Sequence, residues 1–192
     1  MKKSSAKRVG LIIVMLGAIV IGFLARYGFN ASNSKPRLFV KEKEIIANKL
    51  YEEITSADLE AKYPETPEKA MDLYSNINLL IFGDMIADET IYQDLVKILR
   101  KLYSNEIITA NSEENQYQKL MDSIKILKET NVFITETERG ASSYTKGASG
   151  ITEACVISVR QYANNVGFIN WDYHFMLQDG FWKIHSWART DL

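Results

Sequence analysis

The chain has 192 residues, with 23 Lys and Arg against 24 Asp and Glu, two histidines and one cysteine. A lone cysteine excludes an intrachain disulfide framework, and the charge is unevenly spread: the first 37 residues hold seven Lys or Arg and no acid, leaving a net charge of −8 on the rest. An acidic body excludes the basic footprint that nucleic acid needs and argues against docking on anionic lipid, while about 150 residues suffice for one domain with its own core.

The run Val9 to Ala25, VGLIIVMLGAIVIGFLA, has no charged or strongly polar side chain. At the helical rise it reaches about 26 Å, a short transmembrane span, and Tyr27 to Phe29 extend it if Arg26 snorkels. Lys2, Lys3, Lys7 and Arg8 precede it and hold that end in the cytoplasm. A cleaved secretory signal has the same start. Here, however, the exit Leu24-Ala25-Arg26-Tyr27-Gly28-Phe29 is a poor cleavage site, with Phe29-Asn30-Ala31-Ser32 as the remaining alternative. The predicted layout is a cytoplasmic tail (1–8), a transmembrane anchor (9–29), a polar stalk (30–37) and an extracytoplasmic domain (38–192). That makes it a single-pass plasma-membrane protein, and the lone cysteine suits a bacterial surface.

Within the domain, Ile45, Ile46, Leu50 and Ile54 recur among alternating charges and predict an amphipathic helix between Phe39 and Leu59. Thr66-Pro67-Glu68 supplies an N-cap, a proline at the first helical position and an acid in the first turn. Ala70, Tyr74, Ile77 and Ile81 then share a face, and Gly83 closes the helix. Asp88 caps a further helix with stripe Ile91, Leu95, Ile98 and Leu102; Ser112 caps another with Tyr117, Leu120, Ile124 and Leu127, ending near Asn131.

The period then changes to two. Val132 to Ser143, Ile151 to Tyr162, Gly167 to Gln178 and Phe181 to Arg189 read as strands, the first two separated by the Gly/Ser-rich stretch Gly140 to Gly150. Helices followed by antiparallel strands predict an α+β domain, helices packed on one face of a sheet. Asp179-Gly180 is a two-residue hairpin turn that pairs Leu177 with Trp182, Phe175 with Ile184 and Trp171 with Ala188. The core face is then Ile169, Trp171, Tyr173, Phe175, Leu177, Trp182 and Ile184.

That register sets Asn170, Asp172, His174 and Met176 opposite Arg189, Trp187, His185 and Lys183 on the other face. His174 and His185 then face each other with Asp172 diagonal, which makes these three the candidate catalytic residues. Such a set suits an acid/base pair or a zinc site. A solvated or protein-contact face is the simpler reading, and neither a metal nor a cofactor is assigned. Met176, Phe181 and Trp187 on that side suit a protein partner or a homodimer. Cys155, alternating within a strand, reads as a small buried hydrophobe, and Tyr51, Tyr74, Tyr92, Tyr103 and Tyr117 read as the edge of the helical core. No G-x-S-x-G, H-E-x-x-H, P-loop or EF-hand spacing occurs.

The ending Asp179-Gly180-Phe181-Trp182-Lys183-Ile184 resembles the D-G-x-W-K-I hairpin of the nuclear-transport-factor-two-like (cystatin-like, ketosteroid-isomerase-like) superfamily. The segment Asp58-Leu59-Glu60 to Tyr63-Pro64-Glu65-Thr66-Pro67, then Leu73-Tyr74-Ser75, together with the N-terminal run, resembles an uncharacterised family of membrane-anchored proteins from Gram-positive gut anaerobes. The superfamily implies a cone, a curved sheet around a pocket. Its members include isomerases, dehydratases, binding modules and dimeric scaffolds. The isomerase Asp base and its Tyr and Asp donors have no residue-by-residue match here, so no catalytic role is implied. The expectation is an anchored extracytoplasmic binding or scaffold module rather than an enzyme, with a small-molecule enzyme or sensor using the cone pocket as the alternative.

Overall fold

Five helices precede four strands among the residues described by the computed structural model, which are 40–86, 88–147 and 152–190. The predicted tail, anchor and stalk lie outside them. Among the described residues no helix is long and apolar enough to cross a membrane. The helices are α1 (Val40–Ser56), α2 (Pro67–Phe82), α3 (Thr90–Leu102), α4 (Asn105–Ala110) and α5 (Glu113–Thr130); the strands are β1 (Ile134–Lys146), β2 (Thr152–Ala163), β3 (Gly167–Gln178) and β4 (Phe181–Arg189). The domain is α+β, with an antiparallel sheet in the order β1-β2-β3-β4.

The central helix is α2, and its cap chemistry is the predicted one. Thr66 Oγ1 accepts from the Lys69 N–H at 3.2 Å, Pro67 opens the first turn, and Ala70, Tyr74, Ile77 and Ile81 are buried. It runs antiparallel to β1. Asp72 meets Arg139 at 2.7 Å, and at its far end a Cβ on Gly83 would collide with the Leu79 carbonyl and stand 3.2 Å from that of Ile134, so only glycine fits. Asp88 accepts from the Thr90 N–H at 2.9 Å and starts α3, while Ser112 accepts from the Asn115 N–H at 3.2 Å and starts α5. Asn131 ends α5 in the left-handed region at φ 53°.

Two apolar stripes differ from expectation. On α1 the buried residues are Ala47 and Ile54, whereas Ile45 and Ile46 are 62% and 44% exposed. This helix packs on α2 along a narrow seam, and the small Ala47 lies on it. On α3 the buried set is Tyr92, Leu95, Val96, Leu99 and Leu102, with Ile91 and Ile98 only half-buried. Packing against α2, α5 and β4 widens and rotates the buried stripe. The six-residue α4 has no counterpart among the predicted elements; it is too short to carry a periodic signal.

The strands fall close to their predicted spans, except that β1 continues through the Gly/Ser-rich stretch to Lys146. The turn at Asp179 (φ 53°) and Gly180 (φ 82°) pairs Leu177 with Trp182 and Phe175 with Ile184, as its two-residue length requires. The register then shifts. His185 is an extra residue in β4, so His174 pairs with Ser186, Tyr173 with Trp187 and Trp171 with Arg189. The α3–α4 junction docks at this bulge: the Ser104 N–H donates to the Ile184 carbonyl at 2.9 Å, and Tyr103 bridges to Ile184. The extra residue lets both Ile184 and Trp187 face inward. Trp187, expected on the outer face, is 5% exposed and stacks on Tyr103 (6.0 Å) and Tyr173 (6.3 Å).

At the hairpin end the sheet curls. Tyr144 on β1 and Trp182 on β4 have ring centroids 6.3 Å apart, although two strands separate them and a flat sheet would hold β1 and β4 about 14 Å apart. The N-terminal end of α2 lies inside this curl.

Because Trp187 belongs to the core, Trp187→Ala is expected to cost about 3–5 kcal/mol in urea unfolding. A loss under about 1 kcal/mol, typical of a surface position, would contradict the inward phase.

Candidate functional site

The mouth of the curl is built from α2, β1, β2 and the β3–β4 hairpin. Tyr144 lies beside Cys155 in the ladder, and its hydroxyl donates to Glu68 Oε1 at 2.5 Å in the first turn of α2. Its ring meets the edge of Trp182. Burial by itself would raise the Glu68 carboxyl. Hydrogen bonds from Tyr144, Ser142, the Glu68 backbone and Thr66 together outweigh it and hold the carboxyl below its ordinary value. Burial, then the negative Glu68, push the Cys155 thiol up to about 11, and the residue is 1% exposed. Cys155 is thus protonated and shielded, the structural role its alternation predicts.

On the outer side of this end, Tyr63 packs edge-on to Phe181 at 4.9 Å and donates its hydroxyl to the Trp182 carbonyl at 2.9 Å. Lys183 Nζ lies 4.1 Å from the Tyr63 ring centre and donates to the Lys101 carbonyl at the C-terminal end of α3. Desolvation lowers the pKa of this half-buried ammonium. The Trp182 and Ile184 carbonyls on the β4 edge are therefore occupied by Tyr63 and Ser104. The Asp-Gly-x-Trp-Lys-Ile ending is thus explained mechanically. Asp179 and Gly180 make the turn, Trp182 supplies the ring contact, Lys183 clamps the end of α3 and Ile184 anchors the strand in the core.

Among the described residues four large apolar side chains gather at this end: Tyr144 (50% exposed), Met176 (43%), Phe181 (43%) and Leu177 (36%). Leu177, expected in the core, keeps the inward phase of β3 but is exposed at the end of the strand. Met176 and Phe181 are exposed as expected; Trp187 is not among them.

The predicted histidine pair does not form as such. His174 lies opposite Ser186, while His185 Nδ1 is 3.8 Å from Glu106 Oε2 on α4. Asp172 pairs with Ala188 and accepts from the Ser158 hydroxyl at 2.7 Å. A register counted from the turn holds only as far as the bulge, which the turn does not encode. Among the described residues no group of three His, Cys, Asp or Glu side chains is placed to hold a metal ion. The Glu68–Tyr144 contact spans 76 residues. Glu68 reads locally as a first-turn acid and Tyr144 as part of a loop, so no local signal joins them.

Deeper in the fold, Tyr103 and Tyr173 hydroxyls and the Asn78 side chain hydrogen-bond with the Tyr74 hydroxyl. The Tyr74 and Tyr173 rings meet edge-on at 5.2 Å. Burial, foremost, raises the pKa of all three tyrosines, that of Tyr103 and Tyr173 well above 10.0. Two small, partly open pockets, one lined by Asn78, Tyr103 and Gln116 and the other by Ile81, Tyr92 and Phe133, measure about 10 Å³ each, room for a single water.

The buried tyrosines stabilise the fold fully below the ordinary value of 10.0, and that contribution falls as pH rises through their higher folded values. Phenolate absorbance is expected to show a fraction of tyrosines that ionise only as the fold is lost in alkali. Free titration of all ten tyrosines in the folded state would contradict the buried cluster. Glu68 acts at the opposite limit, since its depressed carboxyl adds stability at neutral pH that disappears as pH falls through its folded pKa. Glu68→Gln should accordingly flatten the acid limb of the stability profile.

No curated protein and no solved structure matches the chain. The family described as Domain of unknown function (DUF6715) matches residues 1–187, nearly the whole length, and the chain belongs to that family.

Proposed function

We propose that this is a membrane-anchored extracytoplasmic binding or scaffold module, held by Val9 to Ala25 and contacting a protein partner through the hairpin end of its sheet. The observation that carries this reading is the gathering of Tyr144, Met176, Leu177 and Phe181 at one end of the domain. Exposed aromatic and sulfur-containing side chains beside charged groups suit the centre of a protein contact. The acidic domain and its basic leading segment fit a body tethered outside a membrane and repelled from anionic headgroups.

A second reading, a small-molecule enzyme or sensor, is favoured by the curled sheet, which matches the cone that the superfamily resemblance implies, and by the inward tyrosine hydroxyls.

Photocrosslinking in cells, with a benzophenone side chain at Phe181 or Met176 of the full anchored chain, is expected to trap a defined partner, and a probe at Asp122 on α5 is expected not to. If both positions trap nothing, while an added metabolite raises the melting temperature and Tyr74→Phe abolishes that rise, the pocket reading replaces this one.

A further inference from the structure

We infer that Tyr144 and Trp182 form an aromatic gate over the concave side of the sheet, latched shut by the hydrogen bond from Tyr144 to Glu68. Cys155 and Phe175 pair with each other across β2 and β3 at the open end of the curl and are 1% and 0% exposed. Tyr144, the ladder neighbour of Cys155, reaches from one edge strand to the ring of Trp182 on the other, so the two rings close over the strands between them. Tyr144 is itself half exposed. Its side chain is held by a hydroxyl–carboxylate hydrogen bond to Glu68, an edge-on ring contact with Trp182 and a side-chain hydrogen bond with the Cys155 thiol it covers.

The two sides of the gate are anchored differently. Trp182 is fixed through its backbone, because its carbonyl accepts from Tyr63 and its strand is clamped by Lys183 on α3. Tyr144 lies near the C-terminal end of β1, two residues before the strand ends at Lys146, on the edge of the sheet. Its bond to α2 is a side-chain contact between exposed groups. Tyr144 is therefore the moving leaf and Trp182 the post. An opened leaf uncovers the sulfur of Cys155 and the ring of Phe175, the side of the sheet toward α2. This inference stands apart from the choice between the two functional readings, since a gate serves a partner's inserted side chain and a small ligand equally.

Cys155 is the only thiol in the chain and lies behind the leaf, so it reports opening directly. The full chain in detergent micelles is treated with N-ethylmaleimide, and the modified fraction is followed by mass spectrometry over time, pH and low urea. Tyr144→Phe and Glu68→Gln each weaken the latch while keeping the ring or the side-chain volume. They are expected to raise the labelling rate about tenfold, the factor given by loss of one hydrogen bond to a charged group, together with a fall of a few degrees in melting temperature. Trp182→Ala should do the same by removing the post. Tyr162→Phe, which deletes a Tyr–Glu hydrogen bond to Glu138 on the outer face, should leave the rate unchanged. A pH profile that rises as a whole marks opening, whereas one that only slides along the pH axis marks a change in thiol acidity and overturns the gate. Wild-type labelling that increases with urea as steeply as global unfolding also overturns it, as do latch variants labelled at the wild-type rate.

Discussion

Trp187 faces the core because His185 is an extra residue in β4, and much of the domain is arranged around that displacement. The bulge gives up one regular ladder pair and in return seats a large aromatic side chain between Tyr103 and Tyr173. Burial of an aromatic ring of this size outweighs the loss of about one net hydrogen bond. The same point receives the α3–α4 junction through Ser104 and Ile184, so helix layer and sheet are joined where the strand changes phase. Tyr103, Tyr173, Trp187 and Tyr74 form one continuous aromatic group between the layers.

The aromatic group has a polar consequence. Three phenols placed in the interior need partners, and they find them in one another and in Asn78, which keeps them neutral and hydrogen-bonded without opening the core to solvent. The exposed rings of Tyr144 and Phe181 lie at the hairpin end, where the sheet curls past the N-terminal turn of α2 and the side chains of β1 and β4 approach each other.

Much of the architecture was legible in local chemistry. Thr66-Pro67-Glu68, Asp88, Ser112 and Asn131 mark helix ends by satisfying backbone groups within a few residues, and Asp179-Gly180 adopts the positive φ angles that a two-residue hairpin demands. The candidate site was much less legible. Glu68 and Tyr144 carry no mutual signal across 76 residues, and the Asp172, His174 and His185 grouping depends on a register that the bulge interrupts. The α1 stripe departs from its periodicity for a related reason. A helix packed mainly on one neighbour buries a narrow seam, and periodicity alone does not say which apolar residues lie on it.

Sequence alone determined the elements that depend on near neighbours: the helix caps, the change of period from helix to strand, the hairpin turn, the uneven charge and the apolar run near the N-terminus. Those features follow from interactions within a turn or two of chain, where composition and spacing are the whole cause. Tertiary structure decided the side of the sheet on which Trp187 lies, the partners of the two histidines, the curl that brings Tyr144 to Trp182, and the latch on Glu68. These depend on packing between distant segments, where one added residue reverses a strand's faces and where the energy of burying a ring, rather than any local preference, selects the arrangement.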